Sequence, residues 1–139
     1  MKKIFLSVLF AIIINFTLSA YNVLSLNSIW YIYKADEITG IKFYDDMTYE
    51  ELIIDKKYYN YSFDENAERR KYIYDDEAAN YGYGRDQAFV LTLKNFKGGE
   101  DLTIVVYYGN EFTPTYLYGY DVKIGKTDND EDVYYFDKM

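Results

Sequence analysis

From Ser28 onward the chain alternates between two kinds of position. Ile29, Tyr31 and Tyr33 fall on one side of an extended segment and Trp30 and Ile32 on the other, while Ile41 and Phe43 oppose Lys42 and Tyr44. A period of two is the signature of a β-strand whose two faces meet different surroundings. Further segments of this kind run over 48–54, 58–63, 69–74, 88–96, 102–108, 115–124 and 133–136, so eight or nine strands are expected. Turn formers separate them: Asp45-Asp46, Asp55-Lys56-Lys57, Asp64-Glu65-Asn66, Lys97-Gly98-Gly99, Gly109-Asn110 and the run from Gly125 to Asp132. Connections this short favour antiparallel neighbours. The exception is 75–87, which holds Ala78-Ala79 and Tyr81-Gly82-Tyr83-Gly84 and reads as a short helix or as a loop at a cavity mouth. Pro114 enters a strand at a point where a missing amide donor is tolerated.

Residues 1–20 follow a different pattern. Lys2 and Lys3 precede an apolar stretch from Ile4 to Phe16, and small residues lead to Ala20. This is the layout of a secretory signal peptide. The mature chain is expected to start near Tyr21 and to form one domain, 21–139, in the periplasm or the medium. Without cleavage, the apolar stretch is short for a bilayer span and is interrupted by Asn15. No stable membrane insertion is expected after cleavage. An outer-membrane barrel is disfavoured because several strands are short and carry Lys42, Glu51 or Lys123.

Composition sharpens this picture. All nineteen tyrosines lie beyond residue 20, and with Trp30 and many Val, Ile and Thr they suit pleated, half-buried surfaces better than helices. The mature chain has thirteen basic and 23 acidic residues, a formal charge of −10, which repels nucleic acid. There is no cysteine, so the core rather than disulfides must hold the domain together, and the lack of a cysteine to acylate argues against a lipoprotein anchor. There is also no histidine, which removes the usual general base, the Ser-His-Asp triad and His-containing metal sites. Abundant Lys, Asn, Ile and Tyr suit a bacterial gene of low GC content.

The order of elements resembles the bacterial lipocalin-like families, small antiparallel barrels of the calycin type. Ser28-Ile29-Trp30 stands near the mature start, where those families place Gly-x-Trp. Phe43-Tyr44-Asp45-Asp46-Met47-Thr48-Tyr49 is similar to their strand-turn-strand segment Phe-x-x-Asp-Gly-Thr-Tyr. Both segments lack the family's glycine, with Ser28 and Met47 in its place. The resemblance implies an all-β, up-and-down barrel of about eight strands with Trp30 packed across its closed end. It also implies non-covalent binding of a small, largely apolar molecule, or a structural role for a barrel filled by its own side chains.

The residues leave little room for catalysis. The pairs Asp45-Asp46, Glu50-Glu51, Asp75-Asp76 and Glu100-Asp101 are the right chemistry for a glycosidase, but they fall mainly in turns where solvated charge explains them, so no enzyme and no catalytic residue is expected. The alternating acids of 128–132 resemble the start of a calcium loop, yet Val133 stands where the loop needs glycine and Met139 where it needs a bidentate glutamate. A solvated acidic turn fits better, and neither a metal nor a cofactor is expected. Tyr116, Tyr118 and Tyr120 share one strand face, as do Tyr59, Tyr61 and Phe63. Such ladders pack across strands or line a binding surface. The preferred reading is a small apolar or aromatic ligand held in the barrel mouth by Tyr81, Tyr83, Tyr116 and Tyr118. The alternative is a protein-interaction or structural module with a filled barrel and no ligand.

Overall fold

The computed structural model describes residues 22–24, 27–75, 87–108 and 114–139. The strands are β1 (Ile29–Lys34), β2 (Glu37–Phe43), β3 (Thr48–Asp55), β4 (Asn60–Ser62), β5 (Arg70–Asp75), β6 (Gln87–Leu93), β7 (Leu102–Tyr108), β8 (Tyr116–Asp121) and β9 (Val133–Lys138). Every pairing is antiparallel, and eight of the strands close into a ring in chain order. The seam joins the first strand to the last, with Ile32 opposite Phe136 and Tyr33 opposite Tyr135. A closed ring leaves no edge for another chain to extend. The antiparallel all-β build is that expected from the alternation and the short connections, and its closure is the barrel that the resemblance implied.

β4 stays outside the ring. β3 gives Thr48 and Tyr49 to β5, then leaves the barrel and pairs Ile53 to Asp55 with β4. The resulting hairpin is an arm bearing exposed Ile53, Tyr58, Tyr59 and Phe63. The strand expected over 58–63 is therefore only three residues long. Tyr59 adopts a left-handed φ of 53° in the preceding turn, which an extended strand does not allow. Likewise β6 stops at Leu93, before a single 3-10 turn at Phe96–Gly98.

Paired residues share a face, so the register sorts each strand into inward and outward positions. Trp30, Ile32, Ile41, Phe43, Tyr49, Tyr72, Phe89, Leu91, Leu93, Ile104, Val106, Leu117, Tyr134 and Phe136 form one interior cluster. Val23 and Leu24, from the segment before β1, join the same cluster and close one end. Trp30 is completely buried there. Its indole N–H donates to Ser28 Oγ at 3.1 Å, and the Ser28 hydroxyl donates in turn to the Leu24 carbonyl. The serine in place of the expected glycine thus ties the tryptophan to the end plug. Met47, in the other glycine position, takes a left-handed φ of 65°, a conformation glycine adopts with less strain.

At Gly119 the backbone of a neighbouring strand comes too close for a side chain. A Cβ there would lie 2.5 Å from the Val105 carbonyl oxygen and 2.7 Å from Ile104 Cγ2. β8 can cross β7 at this distance only without a side chain on its inner face.

Candidate functional site on the outer face

The sequence of β8, Tyr-Leu-Tyr-Gly-Tyr-Asp, puts its small residues inside and its rings outside. Leu117 faces Phe136 and Gly119 faces Val106 and Tyr134 in the interior register, so Tyr116, Tyr118 and Tyr120 project from the opposite surface. Register carries the same surface sideways. Tyr118 is opposite Tyr107 of β7 and Tyr135 of β9, and Tyr135 is opposite Tyr33 of β1, two residues from outward Tyr31. Seven tyrosines on four adjacent strands make one wall.

The rings are packed against one another. Tyr107 stacks on Tyr118 with centroids 5.4 Å apart, and Tyr116 stacks on Tyr135 at 6.1 Å. Tyr120 meets both Tyr107 and Tyr118 edge-on, and Tyr31 meets Tyr33 edge-on at 6.2 Å. Such pairs fix ring orientation at about 0.5–1.5 kcal/mol each beyond simple burial. Tyr31, Leu52, Val105, Tyr107 and Val133 are buried yet stand outside the interior cluster, so the outer wall has its own shallow apolar base. Tyr116 is the most open of the seven, 55% exposed. The β4 arm borders the wall, with the Tyr31 hydroxyl donating to the Tyr59 carbonyl at 2.6 Å.

Carboxylates lie among the rings. Asp137 stands beside Tyr33 and Tyr116, and Asp128 and Asp130 beside Tyr120. Burial first raises all three phenol pKa values above their ordinary value; the aspartates add to this, after neighbouring Tyr135 in the case of Tyr116 and Tyr120. Tyr33, Ala35, Asp36, Asp130, Glu131 and Tyr135 enclose an open cleft of about 310 Å³. A smaller hollow of about 140 Å³ lies between Val105, Tyr107, Tyr120 and the turn through Val122, Gly125 and Lys126. In the acidic loop, Asn129 Oδ1 caps the 3-10 turn by accepting from the Glu131 amide at 3.1 Å. Among the described residues, no three acidic side chains converge as a metal site.

Of the residues expected to touch a ligand, Tyr116 and Tyr118 lie on this outer wall, away from the interior cluster, while Tyr81 and Tyr83 lie outside the described residues. Residues 1–20 also lie outside them. Tyr31, Tyr33, Tyr107, Tyr120 and Tyr135 were not among the expected contacts. The alternation of β1 had already set Tyr31 and Tyr33 apart from Trp30, and that was the available signal.

A further cleft, of about 340 Å³, opens where β3 parts from β5 between Glu51, Asp64, Asn66, Glu68 and Arg70. Its one base is already engaged, since Arg70 lies 3.6 Å from Glu51, which also accepts the Lys97 amide at 2.8 Å. Comparison with known proteins gives no match to a family, to a curated protein or to a solved structure. The barrel is calycin-like in architecture. Among the described residues no helix is long and apolar enough to cross a membrane.

Proposed function

We propose that the protein is an exported, non-enzymatic interaction module of lipocalin-like build, in which the barrel is a scaffold and the outer tyrosine wall is the working surface. The observation that carries this reading is the division of the large side chains. The interior cluster is closed by Trp30, Phe43, Tyr49, Tyr72, Phe89 and Phe136, each buried to within 2%. Eight-stranded barrels either pack solid or hold one small ligand, and these rings favour the solid form. Export is supported by the Lys2-Lys3, apolar and small-residue order of the first twenty residues.

Native mass spectrometry of protein purified from its natural source, with titration of an environment-sensitive apolar dye, tests the reading. The expected result is a bare mass and no saturable one-to-one dye binding. A stoichiometric small molecule in the native spectrum would overturn it and favour a ligand at the barrel mouth.

A further inference from the structure

We infer that the outer tyrosine wall docks a basic polypeptide, one that lays arginine and lysine side chains across β1, β9, β8 and β7. This rests on reading the wall as the working surface and names the chemistry of what it holds. The face of a tyrosine ring attracts a cation, and a nearby carboxylate strengthens the attraction.

The chain itself illustrates the pairing at another point of its outer surface. The Tyr44 ring lies beneath the Arg69 guanidinium at 3.7 Å and the Lys42 ammonium at 4.9 Å, while its hydroxyl donates to Glu50. Arg69 also reaches Asp46 at 3.7 Å. Ring, carboxylate and cation are all supplied there by the same molecule.

Around the cleft at the β1 and β9 end of the wall, rings and carboxylates are in place, and no ion pair among the described residues occupies them. Tyr33, Asp36, Asp130 and Tyr135 line one cleft, and Asp137 stands opposite Tyr116 in the register. The ion pairs formed among the described residues use Asp46, Glu51, Asp101, Glu37 and Glu100 and none of the wall's acids. The cleft between Tyr33 and Tyr135 is large enough to receive the head of an arginine or lysine, with Asp36, Asp130 and Glu131 on its rim. A mature charge of −10 draws a basic partner toward this surface from a distance.

The shape of the surface favours a polypeptide over a small polycation. Four neighbouring strands at about 4.8 Å spacing present a face roughly 14 Å across, and the cleft between Tyr33 and Tyr135 occupies only one end of it. A segment with several spaced cations engages both the cleft and the rings of β8 and β7.

Titration of a fluorescein-labelled nonapeptide of alternating arginine and serine, followed by anisotropy at physiological salt, tests the inference. Saturable binding is expected. Neutralising the wall with Asp36→Asn, Asp130→Asn, Glu131→Gln and Asp137→Asn together should weaken it about tenfold or more. The equal charge change at Asp45→Asn, Asp64→Asn, Glu65→Gln and Glu68→Gln should change affinity less than twofold. Tyr116→Ser alone, at an open position, should also weaken binding while the circular dichroism stays unchanged. Equal losses from the two neutralised sets, or no saturable binding, would overturn the inference. So would spermine displacing the peptide at equal positive charge, because it would assign the cleft to small polyamines. If the peptide fails to bind and the native mass is bare, the interaction module survives and its basic partner does not.

Discussion

Tyrosine plays opposite roles on the two surfaces of this one sheet. Inside, Tyr49 and Tyr72 are buried and spend their hydroxyls on backbone: Tyr49 donates to the Lys94 carbonyl at 2.6 Å, and Tyr72 donates to the Tyr44 carbonyl at 3.0 Å and accepts from Asn22 at 3.3 Å. These phenols tie turns to the barrel. Outside, the Tyr116 ring stacks on Tyr135 and leaves more than half of its own surface in water beside Asp137. An inward tyrosine completes the core, whereas an open outward one such as Tyr116 adds little to folding beyond ring stacking. Exposed aromatic surface gathered on one side is the usual mark of a contact site.

The division predicts a steep gradient of mutational cost. Trp30→Ala, at a residue fully buried in the interior cluster, should lower unfolding free energy by about 3–5 kcal/mol, a large share of the 5–15 kcal/mol typical of a domain; urea denaturation measures it. A loss below about 1 kcal/mol would mean that the interior is not packed as described.

Alkaline pH should act next. Burial pushes the Tyr49 and Tyr72 phenols up to about 12, against about 10 in an unfolded chain. Between those values the unfolded chain binds fewer protons than the folded one, so stability falls as pH rises. It should be fully present below pH 10 and drop from pH 10 to 12 in thermal melts. Tyr49→Phe and Tyr72→Phe together should flatten that drop.

Tyr72→Phe alone should cost about 0.5–1.5 kcal/mol at neutral pH, the net value of a buried hydrogen bond. The Tyr116→Ser change should cost about 0.5–1 kcal/mol, the low end of a ring stack, because the ring is mostly in water. A cost above 2 kcal/mol at Tyr116 would break the comparison, because the wall would then be structural.

Strand positions were legible in the sequence because a two-residue period survives whatever the strand packs against. So was the partition within β1, where Trp30 and Ile32 oppose Tyr31 and Tyr33. The side of β8 that turns inward was harder to read. Periodicity separates two faces without saying which is inside, and Tyr116 and Tyr118 were expected at the barrel mouth. Interior space sends them to the outer face instead, since a side chain at position 119 would meet the Val105 carbonyl. A glycine alternating with aromatics was therefore the informative residue, marking the crowded face by its lack of a side chain. The departure of β3 toward β4 was hidden for another reason. Tyr58 and Tyr59 have strand-like side chains, but the left-handed backbone of Tyr59 turns them into a connection.

The seam between β1 and β9 has a consequence for the order of events during synthesis. Ile32 cannot meet Phe136 until more than a hundred intervening residues have been made, and joining ends so far apart carries a large loop-closure entropy. The neighbouring hairpins can assemble beforehand, but the ring stays open with two unsatisfied borders until the final strand arrives. Closure of that seam is the slowest, most non-local contact of the fold, and until it forms the nascent chain is a curved sheet whose borders remain open to wrong partners.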